Sequence, residues 1–232
     1  MSGRRTYRVF TYREAVVRIC CERFEVVTAE IRRQRQFLDA YIRGHAAFQH
    51  TLEPIELRAN APQIARRMAQ AARLVGVGPM AAVAGATAQF AAEAALAAGA
   101  QEAIVDNGGD IYVKAVEPVV IALGAGTATL ADRLAFAVDP DETPISICSS
   151  SGTMGHSRSL GRCDLATVVA KDAALADAAA TKAANLVKTV EDVDAALERI
   201  AAIEGITGAL IVKNDRIGLA GHLPRLIKAS TG

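Results

Sequence analysis

Glu102-Ala103-Ile104-Val105-Asp106-Asn107-Gly108-Gly109-Asp110-Ile111-Tyr112-Val113 reads as an apolar strand that breaks at Asn107-Gly108-Gly109 and resumes at Ile111. Two geometries satisfy that pattern: a kinked strand, or a hairpin turn, for which Asn-Gly is a strong signal because glycine tolerates positive φ. A turn does not exhaust the segment. A Gly-Gly pair flanked by Asp106, Asn107 and Asp110 also offers bare backbone amides and carboxylates to a flat heterocycle or a ribose.

Downstream, Val119–Gly124 is expected to pair back on this strand through Glu117-Pro118, and Leu134–Val138 is a further strand. Pro144–Cys148 and Leu165–Ala170 are two more, and between them runs Ile147-Cys148-Ser149-Ser150-Ser151-Gly152-Thr153-Met154-Gly155-His156-Ser157-Arg158-Ser159. The hydroxyls and free amides of such a loop suit phosphate or carbonyl oxygens, so Ser149, Ser150, Ser151, Gly152, Thr153 and Gly155 are candidate ligand contacts. A polar surface loop has the same composition. Lys171–Asn185 reads as a helix on which Asp177 and Thr181, four apart, share a face. Their oxygens could share one hard cation such as Mg²⁺, or the Asp could serve the helix dipole while the Thr bonds back to its own helix. A last helix is expected from Thr189 to Ile203, then a hairpin of Thr207–Lys213 and Arg216–Gly221 around Asn214-Asp215.

Upstream, Thr6–Thr11 and Ala15–Cys21 alternate as a strand pair, with Arg23–Val27 expected to continue the sheet. After Thr28 a helix runs to Gly44, with Ile31, Leu38, Tyr41 and Ile42 on one side and arginines on the other. Phe48–Leu57 reads as a linker. Asn60 and Pro62 read as N-cap and first turn of a helix to Gly76. In Gly76-Val77-Gly78-Pro79-Met80-Ala81-Ala82-Val83-Ala84-Gly85-Ala86 the glycines and proline pin a tight turn before a helix ending at Gly99. The amides beginning that helix, at Gly78 and beyond, suit an anion; close helix–sheet packing demands the same small residues.

Half of the 232 residues are apolar, enough to bury a sizeable core. The net charge of +1 hides an asymmetry: residues 1–73 hold 14 Arg against 7 Asp and Glu, or +7, leaving −6 for the remainder. That basic third suits a solvated helix face, an anionic ligand or a second copy in a homodimer. Without aromatic interleaving it gives no reason to expect nucleic acid. No signal-peptide core occurs near Met1, and the Ala-rich run Met80–Ala98, carrying Gln89 and Glu93, reads as a buried helix rather than a membrane span, so a cytoplasmic protein without membrane contact is expected. Cys20, Cys21, Cys148 and Cys163 have neither zinc-site nor disulfide-framework spacing, and four histidines are too few for a multi-histidine metal centre.

Four segments in order, Gly76–Gly85, Val105-Asp106-Asn107-Gly108-Gly109-Asp110-Ile111, Ser150-Ser151-Gly152-Thr153-Met154-Gly155-His156-Ser157 and Ala176-Asp177-Ala178-Ala179-Ala180-Thr181, closely resemble an uncharacterised protein family related to the ApbE flavin transferases. The resemblance covers most of residues 50–225 and is weaker over the basic segment 1–50. It implies a single domain, residues 1–232, of α+β class with the ApbE-like fold, antiparallel sheets flanked by helices. It further implies a flavin site at Gly108, Gly109 and Asp110, a site loop at Ser150, Ser151 and Gly152, and Mg²⁺ on Asp177 and Thr181. The loop is shorter here than in the transferases, and Gly155-His156 through Gly161 is the stretch that stands in for their later flavin-placing motif.

The expectation is thus an ApbE-like protein that binds a flavin nucleotide, FAD or FMN, or another small phosphorylated ligand. Mg²⁺ on Asp177 and Thr181 would support phosphoanhydride cleavage or nucleotidyl transfer, with His156 as acid or base. The alternatives are a flavin- or nucleotide-binding protein that breaks no bond, and a scaffold that keeps the fold alone. No target protein is named by the sequence.

Overall fold

The structure, a computed structural model, describes residues 5–124, 134–151 and 163–229. Alternating apolar residues build eleven described strands: β1 (Arg8–Tyr12), β2 (Ala15–Cys20), β3 (Ala103–Asn107), β4 (Asp110–Lys114), β5 (Val119–Ala122), β6 (Leu134–Val138), β7 (Ile145–Ser150), β8 (Leu165–Ala170), β9 (Ile206–Lys213), β10 (Arg216–Gly221) and β11 (Arg225–Lys228). Helices are α1 (Phe24–Gly44), α2 (Ala47–His50), α3 (Gln63–Val75), α4 (Val83–Ala97), α5 (Ala173–Leu186) and α6 (Asp192–Ala201). Eight strands form one antiparallel sheet in the order β1-β2-β3-β4-β7-β8-β9-β10, and β11-β6-β5 form a second.

The period-2 alternation of the large sheet sorts its residues onto two faces. Val105, Cys148, Ala166, Val168 and Ala209 meet the helices, while Ile104, Ile111, Val113, Ile147, Leu210 and Val212 meet the small sheet with Phe136 and Val138. Three layers result: helices, large sheet, small sheet. Pro79–Ala97 is long and apolar enough by composition to cross a membrane, and half of that stretch is buried, packed against α1, α5, β3 and β4.

Several expectations need correction. Arg23–Val27 does not extend the sheet: α1 begins at Phe24, because Val27, Ile31, Gln34, Leu38 and Tyr41 fall at helical spacing and bury one face. Thr28 lies inside the helix, its hydroxyl donating to the Glu25 carbonyl. The supposed linker contains α2, which buries Phe48 completely. Asn60 does not cap α3, which starts after Pro62 with no side-chain cap, and the final helix starts at Asp192, whose carboxylate accepts from the Thr189 and Lys188 amides. Val119–Ala122 does not pair with β4; it pairs with β6 in the small sheet, turning Ile121 toward the core and Val120 outward. β11 was not expected. The arginines of the N-terminal third are largely engaged within the chain: Arg8 stacks on Phe24 and Arg32 on Phe10, and Arg13 and Arg35 pair with Asp39 and Glu14.

Candidate functional site

The β3–β4 connection is a hairpin turn, with Asn107 opposite Asp110 and φ of +71° at Gly108 and +102° at Gly109, the signs a type I′ turn needs. A Cβ at either glycine would meet nothing within 4 Å, so the turn carries open space above it. The Asp106 carboxylate accepts from the Gly109 amide at 2.9 Å, and the Gly109 carbonyl accepts from the Ser149 amide at 3.1 Å, tying the turn to β7.

Alternation places Asn107 and Asp110 on the helix side. Asn107 Nδ2 donates to the Ala84 carbonyl at 3.1 Å, at the start of α4. That helix approaches α5 closely because residue 85 is glycine: a Cβ there would lie 2.2 Å from the Ala173 carbonyl oxygen and 2.9 Å from Asp177 Cβ. The approach lets Asp177 Oδ2 accept from the Gly85 amide at 2.9 Å. Burial pushes the Asp177 carboxyl up to about 7, opposed by the Gly85 and Ala84 amides. Asp110 is pushed well above the usual carboxylate range, first by burial and then by the charge of Asp177, against the nearby Cys148 thiol. Its Oδ1 is buried without a hydrogen-bond partner among the described residues. Burial, Asp110 and Asp177 together keep the Cys148 thiol protonated; its Sγ donates to the Ala173 carbonyl. Thr181 stands one turn beyond Asp177 on the same face, nearly buried, its hydroxyl engaged by no described residue.

A cavity of about 1890 Å³ opens over these groups, larger than the roughly 300–1,000 Å³ of common small-molecule sites and so roomy enough for a dinucleotide-sized ligand. Of the expected contacts, Gly78, Asn107, Gly108, Gly109, Asp110, Ser149, Ser150, Ser151 and Thr181 all line it, and Asp177 lies buried beside Asp110. Gly78 is also structural, since a Cβ there would sit 2.0 Å from the Thr51 carbonyl oxygen. Ser149 Oγ bonds the Thr167 hydroxyl at 2.9 Å. Gly152, Thr153, Gly155 and His156 lie outside the described residues.

The sequence did not flag Arg18, Lys182 or Asn185, which also line the cavity; the amides beginning α4, expected to meet an anion, meet the Asp177 carboxylate at Ala84 and Gly85. Asn185 continues the Asp177, Thr181 spacing by one more turn, a legible signal; Arg18 carried none, because only the fold brings β2 beside the glycine turn.

Among the described residues no group of three or more His, Cys, Asp and Glu side chains forms a metal cage. The donors available at α5 are hard oxygens: Asp177, Thr181 and the orphaned Asp110 Oδ1. That set fits a hard divalent cation, which would supply the missing partner for Oδ1 and offset two buried carboxylates.

A family model described as AbpE bacteria matches residues 14–218. UPF0280 proteins of Methanosarcina barkeri and Archaeoglobus fulgidus are 40% and 38% identical to the chain, covering 95% and 96% of it and 88% and 94% of their own lengths. Among solved structures, the flavin transferase ApbE from Vibrio cholerae superposes with a TM-score of 0.59 at 13% identity, covering 98% of this chain and 97% of that one. The apo flavinyl transferase ApbE of Pseudomonas stutzeri gives 0.57 at 14% identity, covering 95% of each. Identities that low establish the ApbE fold alone. With a family model over most of its length and relatives near 40% identity along nearly all of it, the chain belongs to the AbpE bacteria family, alongside the UPF0280 proteins.

Proposed function

We propose that the cavity binds a flavin nucleotide, FAD or FMN, with Mg²⁺ on Asp177 and Thr181, and that the site cleaves or transfers at the phosphoanhydride of FAD. The observation that carries this reading is the buried Asp110–Asp177 pair with its orphaned Oδ1, set beside a bare glycine turn and a serine-bearing strand end. Two adjacent carboxylates without a cation are an expensive arrangement in a fold, and a site for divalent cation plus phosphate makes use of it. The fold shared with proteins named flavin transferases supports the choice of ligand.

In this reading Gly108 and Gly109 give the ligand an unobstructed approach to backbone, and Asn107 fixes the start of α4 so that the Gly85 amide keeps Asp177 in place. Ser150 and Ser151 supply donors to phosphate oxygens. A bound divalent cation would supply neutralisation of the phosphate charge that grows as the P–O bond breaks. Water or a hydroxyl of another molecule would attack the FMN-side phosphorus, forming a new P–O bond to the FMN moiety as the anhydride P–O bond breaks and AMP leaves; the attacking oxygen's proton goes to solvent.

The test is a thermal-shift and product assay with FAD, with and without Mg²⁺, on wild type and Asp177→Asn. Ligand at about 100 times its Kd should stabilise the wild type by roughly 2.7 kcal/mol. FMN should form from FAD only with Mg²⁺ and only in wild type. Binding without turnover would leave a flavin-binding protein, and no shift with any flavin nucleotide would overturn the reading.

A further inference from the structure

We propose that Arg18 forms a second anion-binding position of this cavity, on the small-sheet side of the glycine turn, taking a ligand phosphate that lies away from Asp177. The inference rests on the ligand reading above and adds to it where the charged part of the ligand sits.

Strand alternation divides the cavity. Asn107, Asp110 and Asp177 lie on the helix side of the large sheet, whereas Arg18, paired across β2–β3 with Asp106, lies on the opposite face with Ile104 and Ile111. The Gly108–Gly109 turn projects between the two, and two strand spacings, on the order of 10 Å, separate Arg18 from Asp110. A ligand draped over the turn therefore reaches both faces.

The lining carries five acidic residues, Glu14, Asp39, Asp106, Asp110 and Asp164, so an anionic ligand needs an open cation there. Among the described residues the lining supplies three arginine and lysine side chains, Arg18, Arg35 and Lys182. Arg35 is locked against Glu14, its side chain only 16% exposed, and Lys182 Nζ donates to the Gly76 carbonyl at 3.2 Å. Arg18 is held loosely: its side chain is 61% exposed, its guanidinium lies 3.9 Å from Asp106, and that carboxylate already accepts from the Gly109 amide. Its contact with the Tyr7 ring, 5.4 Å to the centroid, orients the guanidinium without using its N–H donors. A planar five-donor fork left open beside a turn without side chains suits a phosphate.

The experiment compares FMN with riboflavin on wild type and Arg18→Gln in EDTA, which removes any contribution from a cation at Asp177. Wild type should bind FMN at least about tenfold more tightly than riboflavin, and Arg18→Gln should lose that preference while keeping its affinity for riboflavin. The thermal response to Mg²⁺ alone should survive in Arg18→Gln and vanish in Asp177→Asn. An FMN preference unchanged in Arg18→Gln, or absent from wild type, overturns the proposal. If neither flavin binds, the flavin reading falls, and the same comparison with AMP and adenosine decides Arg18 alone: a phosphate preference lost in Arg18→Gln sustains it, and no preference or no binding overturns it.

Discussion

The two faces of the eight-stranded sheet are made from alternate residues of the same strands, yet they are different materials. Toward the small sheet the strands present Ile104, Ile111, Val113, Ile147, Leu210 and Val212 against Phe136 and Val138, a thick hydrocarbon layer, with Arg18 only at its edge beside the glycine turn. Toward the helices they present Ala103, Ala166, Ala170 and Ala209 against the alanines of α4 and α5. Short side chains bring backbone near backbone, and that proximity delivers the Gly85 amide to Asp177 and sets Asp177 beside Asp110. The thick layer is built for stability, while the thin one holds the carboxylate pair, a division that mutations can break.

The largest effect is expected where the thin layer has no slack. In Gly85→Ala the added Cβ would lie 2.2 Å from the Ala173 carbonyl oxygen, a backbone atom that cannot rotate away. The loss of stability should exceed about 4 kcal/mol, with little folded protein recovered, as followed by urea denaturation. A Gly85→Ala protein as stable as wild type would show that the helix crossing is not tight.

Next comes the thick layer. Phe136 is fully buried between the sheets, and Phe136→Ala should cost about 3–5 kcal/mol. Because no group of the candidate cation site touches that layer, the stabilisation by Mg²⁺ should be unchanged in the variant. Loss of the Mg²⁺ response would mean that the two layers are coupled.

The carboxylates give a third test, with a definite sign. Asp177 titrates near 7 in the folded protein against an ordinary value of 3.8, so the folded state retains a proton that the unfolded chain releases. Stability of the cation-free protein should therefore be greatest at low pH as far as this group is concerned. It should decline as pH rises from about 4 to about 7, by up to about 4 kcal/mol in total. Asp110, shifted the same way, adds to the decline. Asp177→Asn should flatten the profile over that window. Mg²⁺ should stabilise wild type more at pH 8 than at pH 6, because the cation competes with the proton. A wild-type profile that rises between pH 4 and 7 and is unaffected by Asp177→Asn would contradict the buried-pair electrostatics.

The same contrast between layers explains what could be read without coordinates. The hairpin around Asn214-Asp215 was legible because its turn chemistry is local, and at Gly108-Gly109 the hairpin was one of two readings; the face shared by Asp177 and Thr181 is simple helix arithmetic. Errors arose where burial decided the outcome. Glu25-Val26-Val27 is as good a strand as a helix until Ile31, Gln34 and Leu38 supply the rest of a buried stripe, and Val119–Ala122 has no local mark that sends it to a second sheet. Within the site, residues carried by short motifs were found and those carried by topology were missed: Arg18 reaches the cavity only because β2 happens to neighbour β3.

The smallest effect on folding tests the turn itself. At Gly108 a Cβ would meet nothing, so Gly108→Ala suffers only the backbone penalty of an L-residue at φ +71°, about 1 kcal/mol. Gly109→Ala, at φ +102°, should cost somewhat more for the same reason. If the space above the turn belongs to a ligand, however, that methyl group intrudes on the ligand while leaving stability almost untouched. Flavin-nucleotide binding should then fall by at least tenfold in Gly108→Ala, while the melting temperature of the free protein moves by only a few degrees. Equal, small losses in both measurements would make the glycine pair a hairpin device alone, and would shift the ligand onto the serine-bearing end of β7 and the helix side of the cavity.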